Sequence, residues 1–369
     1  MAGPLKGYRV LDMSRILAGP WAGQLLADLG ADVVKIERPG CGDDTRHWGP
    51  PYLKDQDGNE TEDAAYFFCA NRGKKSVTID ITRSEGQDII RQLALQSDVL
   101  IENYKVGGLA KYGLDYSALK KINPKLIYCS ITGFGQTGPY ANRPGYDFLI
   151  QGMGGLMSIT GEPDSPDNKT AGPVKVGVAV TDLFTGLYAA NAIQGALLER
   201  HQSGVGQYID LALLDVQAAV LANQASNYLI GNLVPERLGN AHPNIVPYQA
   251  FATADSHIII AVGNDQQFAR FCKVIESPLM AEDPLYASNA NRVNNRQVLC
   301  DSISVSLRQK DSLHWLAAFE ANDVPCGPIN SIDQVFEDPQ IIAREMLINV
   351  TDSRSGGLKM VGNPIKYSR

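Results

Sequence analysis

The chain reads as α/β: a large domain on a Rossmann-like parallel sheet, joined to a smaller α+β domain. Three observations predict this. Residues 8–12 and 31–37 have strand character, and between them Pro20 suits the first turn of a helix and Gly30 its stop, so the first 37 residues form a βαβ unit. Segments 31–37 and 125–132 are apolar through their centres, the pattern of strands covered on both faces. Beyond residue 231 the composition turns to Pro, Gly and Asn, and residues 248–253 and 257–262 then read as a hairpin around Ala254-Asp255-Ser256. The expected division is a large domain of 1–225, completed by 325–369, and a small domain of 226–324 with its linkers.

The turn after the first strand, Ser14 to Pro20, is not GxGxxG, so the dinucleotide fingerprint fails at its most specific part. Glu37 stands where that fingerprint would put an acid for a ribose, and Arg38 beside it suits a ribose phosphate as well as it suits a solvated loop. Residues 39–62 form a loop rich in Gly, Pro and Asp that carries Trp48. Loops at that end of an open α/β sheet are where ligands bind. Asn71-Arg72-Gly73-Lys74-Lys75 is a compact basic turn before a strand at 76–81. A helix at 84–96, a strand at 98–102 and a Gly-bearing turn from Asn103 to Leu109 follow, with Lys111 one turn on, a second element suited to phosphate. After the 125–132 strand come Gly133-Phe134-Gly135, then Gly145-Tyr146-Asp147 before a helix starting near Phe148.

Charge and composition narrow the function. The net charge of −7 argues against a nucleic-acid surface, and no apolar run reaches membrane-spanning length. Six scattered cysteines without a CxxC pair fit a reducing compartment, and five dispersed histidines give no zinc-type spacing, so no metal is expected. The N-terminal residues enter a strand almost at once, which predicts neither signal nor transit peptide and a cytoplasmic location.

The segment 174–200 is the most informative. It opens as an apolar run of strand character and turns at Thr181-Asp182 into a long, mostly apolar helix, with Asp182 the only carboxylate between Lys175 and Glu199. An acid in the first turn of a buried helix is most often an N-cap. The alternative is a carboxylate nucleophile. Gly186, Ala189, Ala190, Ala192, Gly195 and Ala196 leave room for another backbone or for a ligand.

The stretches LKGYRVLDMSRILAGP, LGADVVKIERPGCGDDTR, NRGKKSVTIDI, DVLIENY, GFGQTGPY with RPGYD, VAVTDLFTGLYA, RHQSGVGQYIDLALLD and VPCGPINSIDQVFEDPQ run in order over nearly the whole chain. In them the chain resembles the class III CoA-transferases, the CaiB/BaiF family. DDTRHWGPPY, NYLIGN, GNAHPNIVPYQAF and GNDQQFA resemble its succinate–hydroxymethylglutarate/glutarate branch. The resemblance implies that Asp182 is the nucleophile, passing through an anhydride and an enzyme–CoA thioester. It implies CoA contacts at Arg15, Ile16, Arg38, Arg72, Lys75, Asn103, Tyr104 and Lys111, and a small-acid pocket at Trp48 and Tyr66, with Tyr146, Asp147 and His242 assigned to the substrate pocket beside them. Coenzyme A comes and goes as substrate, acyl-CoA and a small carboxylic acid are the partners, with succinyl-CoA the donor, and no permanently bound cofactor is implied. Family members form an interlocked homodimer.

Two departures bear on the reaction. The family's α-methylacyl-CoA racemase branch has a His–Asp pair where this chain has Tyr146-Asp147, and a tyrosine, ordinarily titrating near ~10, is a poor base at neutrality. Racemase or epimerase therefore ranks behind transferase. A glycine run of formyl-CoA transferase is replaced by Gly239-Asn240-Ala241-His242-Pro243-Asn244, where His242 either holds a distal carboxylate or caps a turn.

Overall fold

The computed structural model describes residues 3–164 and 172–368. The chain divides into two compact units, one of residues 1–157, 175–234 and 339–369, the other of 158–174 and 235–338. Sequence composition put the crossings at 225 and 324; the chain makes them later, and it also lends 158–174 to the second unit.

The first unit is built on six strands: β1 (Arg9–Asp12), β2 (Asp32–Glu37), β3 (Lys74–Thr78), β4 (Val99–Glu102), β5 (Ile127–Thr132) and β6 (Tyr208–Ala212). They pair in parallel in the order β3-β2-β1-β4-β5-β6. The chain winds outward in one direction from β1 and in the other from β4. The strand order therefore reverses between these two, and a crevice opens at their C-terminal ends, the ordinary ligand position of such a sheet. β4 and β5 are buried at every position, as strands covered on both faces are, with Glu102, Ser130 and Thr132 buried among their apolar residues.

Helices α1 (Ala18–Asp28) and α2 (Ser84–Leu95) follow β1 and β3, and α3 (Tyr116–Ile122) precedes β5. Short α4 (Asp147–Met153) leads to the 24-residue α5 (Val180–Ser203). α5 lays Ala189, Ala190, Ile193, Ala196 and Leu197 into the same core as Ala18, Ala22 and Leu26 of α1. The two helices are close at Gly186, where a Cβ would stand 2.8 Å from the Ala18 carbonyl oxygen. The small residues thus admit another backbone.

Residues 174–179 form no strand, against expectation. Among the described residues no strand pairs with them: the Val176 N–H donates to Gln151 Oε1 (2.9 Å), and Val178 is exposed. The helix expected at 214–229 is two, α6 (Leu213–Ala219) and α7 (Ala222–Gly231), separated where Ala222 takes a φ of 47°. A hairpin of Tyr52–Lys54 and Glu60–Ala64 lies in what reads as loop, because its strands are short and polar.

The C-terminal ribbon, Leu347–Val350 with Leu358–Val361, belongs to the first unit and is tied there by arginines. Arg72 bonds Asp28 through Nε (2.9 Å) and the Val361 carbonyl through Nη1 (2.5 Å), while Arg354 pairs with Asp63. The second unit holds an antiparallel sheet of β7 (Tyr248–Ala252), β8 (His257–Ala261) and β9 (Cys326–Pro328) over a separate core in which Phe271 and Phe319 stack at 5.3 Å. Among the described residues no helix is long and apolar enough to cross a membrane.

Candidate active site

The crevice at the β1–β4 reversal is a cavity of about 520 Å³. Its floor is two turns that clasp each other. The Arg15 N–H donates to Asn103 Oδ1 (2.9 Å), and Asn103 Nδ2 donates to the Arg15 carbonyl (2.7 Å). Between them Ile16 takes a φ of 72°, a left-handed conformation costly for a β-branched residue, and its N–H is held by Asp43 Oδ1 at 3.2 Å. Asp43 is itself fixed by Lys35 at 2.8 Å with both side chains buried. A network of buried, paired charges thus sets the strained turn rigidly against the cavity.

Arg15, Ile16, Arg38, Asn103, Tyr104, Lys111, Tyr146 and Asp182 all line this cavity. Of these, Asn103 spends its amide on the clasp, and the Tyr104 ring lies 5.8 Å from the Arg15 guanidinium. Lys105 and Arg143 also line it, two cations that sequence reasoning did not single out although both stand in the quoted turns after β4 and β5. Glu37, Asp43 and Asp44 are engaged by Arg46, Lys35 and Arg15. Among the described residues, Arg38, Lys105, Lys111 and Arg143 pair with no carboxylate. The wall is therefore set for an anion of several charges, such as a phosphorylated ligand.

Asp182 is part of the same lining. It is not the cap of its helix. Ala179 is the N-cap by position, Asp182 is the third helical residue, and the capping oxygen comes from α4: Asp147 Oδ1 accepts from the N–H groups of Thr181 (2.8 Å) and Asp182 (3.3 Å). Asp147 is steadied by Gln151 Nε2 at 2.6 Å, and Thr181 by its hydroxyl bond to Gln217 (2.7 Å). The Asp182 carboxylate, 9 % exposed, makes no hydrogen bond with any described residue. Burial, and then the charge of Asp147, pushes its carboxyl up from 3.8 to about 7.

Tyr66 lies close enough to feel both Asp182 and Asp147, and burial pushes its phenol up to about 12, so it is a neutral donor at pH 7. Trp48 packs edge-on against it at 5.3 Å. Tyr66 thus stands near Asp182 with Trp48 behind it, and neither lines the cavity.

Three expected residues are elsewhere. Arg72 lines a smaller cavity of about 340 Å³ and is consumed by Asp28 and Val361. Lys75 is largely exposed and pairs with Asp32 (2.6 Å), since the side-chain alternation of β3 turns it away from Lys74. His242 belongs to the second unit, where Nδ1 accepts the Asn244 N–H (3.0 Å) and the ring leans on Tyr248, the turn-capping arrangement.

The fold and site together are a doubly wound sheet whose switch-point cavity carries cations without carboxylate partners and a buried carboxylate without a hydrogen bond among the described residues. The profile of CoA-transferase family III matches residues 5–369, and the chain belongs to that family, known also as CaiB/BaiF. It is an enzyme that moves CoA between an acyl-CoA and a carboxylic acid. It is 53% identical to a succinate–glutarate CoA-transferase of Agrobacterium fabrum, over 99% of this chain and 90% of that one. It is 44% identical to the succinyl-CoA:glutarate CoA-transferase of Mus musculus, over 99% and 81%. The crystal structure of a CAIB/BAIF family protein from Brucella suis superposes with a TM-score of 0.85 at 50% identity, over 100% of this chain and 93% of that one.

Proposed function

We propose that this enzyme transfers CoA from succinyl-CoA to a dicarboxylic acid such as glutarate, with Asp182 as the nucleophile. The observation that carries the proposal is the state of that carboxylate: buried, without a hydrogen bond, and on the wall of a cavity with unpaired cations. A carboxylate raised from 3.8 to about 7 is destabilised as an anion by on the order of 4 kcal/mol. Acylation removes that charge, so the enzyme's ground state favours attack.

The chemistry balances without a metal or redox group. Asp182 adds to the thioester carbonyl, the C–S bond breaks, and CoA leaves as thiolate, giving a mixed anhydride. The thiolate attacks the aspartyl carbonyl and expels the donor acid, leaving CoA as a thioester on Asp182. The acceptor's carboxylate attacks that thioester and releases thiolate again, which then takes the acyl group of the second anhydride and frees Asp182. Arg38, Lys105, Lys111 and Arg143 would hold the CoA phosphates, and Tyr66 with Trp48 would border the acid. Tyr146 is an exposed N-cap residue of α4, which supports transfer over racemisation.

The first unit also leaves an apolar surface uncovered: Phe184, Leu187, Tyr188 and Leu198 on one stripe of α5, and Leu229, Ile230, Leu233 and Val234 at the end of α7. A second copy of the chain is its proposed cover, as in an interlocked dimer. The test of the mechanism is chemical trapping. Succinyl-CoA without acceptor should leave a CoA adduct on the Asp182 peptide, and Asp182→Asn should abolish it.

A further inference from the structure

We infer that Asp147 is a positioning residue for the transfer reaction: its carboxylate takes the place of the N-cap for the helix that carries Asp182, and its charge faces the Asp182 carboxylate across that same first turn. The inference rests on Asp182 being the nucleophile and adds a second residue to the site.

The geometry separates Asp147 from an ordinary pocket residue. One oxygen accepts from two consecutive N–H groups of α5, Thr181 at 2.8 Å and Asp182 at 3.3 Å, and the other oxygen accepts from Gln151 at 2.6 Å. The third free donor of the turn, the Val180 N–H, is taken by the Val178 carbonyl at 2.8 Å. Among the described residues, the N–H groups of the first three residues of α5 are thus all engaged, and none of them bonds the Asp182 side chain. An acid in the first turn of a helix is ordinarily stabilised as an anion by those dipoles. Here Asp147 occupies them and sets a second negative charge beside the first. The result is a carboxylate fixed in place by its own backbone yet left without a donor.

The titratable groups facing Asp182 are Asp147 from α4 and Tyr66 from the short helix Ala65–Phe68; Ala18 and Trp21 of α1, packed at Gly186 one turn along, carry no charge. The cations of the cavity wall, Arg15, Lys35, Arg38, Lys105, Lys111 and Arg143, share the cavity with Asp182, whereas burial and Asp147 are what move its carboxyl. Removing the Asp147 charge while keeping its oxygen lets Asp182 ionise at lower pH. It also makes Asp182 a weaker base and so a weaker nucleophile.

The experiment follows single-turnover formation of the CoA adduct on the Asp182 peptide from saturating succinyl-CoA, at pH 5.5 to 8.5, in the wild-type, Asp147→Asn and Asp147→Ala proteins. The wild type should lose adduct formation below an inflection near pH 7. Asparagine keeps an acceptor for the two N–H groups, so its inflection should move down by about one pH unit. The rate at pH 6 relative to pH 8 would rise about fivefold, from about 0.1 to about 0.5, with a lower plateau. Alanine loses cap and charge together, and its rate should fall about tenfold or more at every pH, with asparagine restoring part of it. An asparagine variant whose inflection stays at the wild-type pH overturns the inference, as does an alanine variant as fast as asparagine. Should alanine fail to fold, the asparagine inflection decides alone. A wild-type protein that forms no adduct on Asp182 overturns the nucleophile reading itself, and the inference with it, before any variant is compared.

Discussion

Replacing Gly186 by alanine probes the contact that sets the position of α5. A glycine in the middle of a helix costs about 1 kcal/mol against alanine, so propensity alone predicts that the variant is more stable. The contact predicts the reverse. An alanine Cβ would stand 2.8 Å from the Ala18 carbonyl oxygen, 2.8 Å from Trp21 Cδ1 and 2.9 Å from Trp21 Cβ. Two of these belong to atoms held by α1 itself, so the helices must part. Overpacking of this kind costs ~1–3 kcal/mol, and a backbone oxygen in the contact puts the cost at the upper end. The net is a loss of about 1–2 kcal/mol, which lowers the melting temperature by about 3–6 °C in a domain of this size. Asp182 lies one turn before Gly186, so adduct formation should slow as well. The assay is thermal unfolding by circular dichroism, with single-turnover acylation in parallel. A variant that melts at or above the wild-type temperature would refute the packing account.

Three further outcomes follow from the same geometry. Burial pushes the Glu102 carboxyl up from 4.5 to about 7. A raised acid keeps its proton in the folded state while the unfolded chain releases it, so the wild type loses about 3 kcal/mol as pH climbs from 4.5 to 7. Glu102→Gln should therefore gain stability over the wild type at pH 8 that it lacks at pH 4.5, and a pH-independent difference in urea melts would contradict this. Arg143→Ala should raise the KM for acyl-CoA about tenfold or more, the weight of one charge-assisted contact to phosphate; an unchanged KM removes Arg143 from the CoA site. Arg72→Ala should leave that KM within about twofold but lower the melting temperature, because Asp28 loses its bidentate partner and the Val361 carbonyl its donor; a KM effect without a melting shift would restore Arg72 to the CoA site.

Much of the fold was legible because periodicity and apolar runs report burial locally. β2, β4 and β5 are close to where composition put them, and the βαβ start correctly implied a parallel sheet. The misses are tertiary. Residues 174–179 have strand composition but no neighbouring strand, and the break at Ala222 leaves no mark in an apolar helical pattern. At the site, the basic residues after strand ends were readable as a class, yet sequence could not separate Arg38, which faces the cavity, from Arg72, which is bound to Asp28. Nor could it show that the first-turn acid and its cap are different residues. Asp147 and Asp182 stand 35 positions apart, and only the approach of α4 to α5 gives capping to one and leaves the other unbonded.

The central claim is that Asp182 carries the acyl and CoA groups in turn. The most direct measurement is mass spectrometry of the Asp182 peptide after the protein meets succinyl-CoA alone and is quenched within one turnover. A CoA adduct on that peptide, absent from Asp182→Asn and discharged by added glutarate, is the predicted result. An unmodified peptide in a protein that still exchanges CoA would contradict it, and the nucleophile would have to be sought elsewhere.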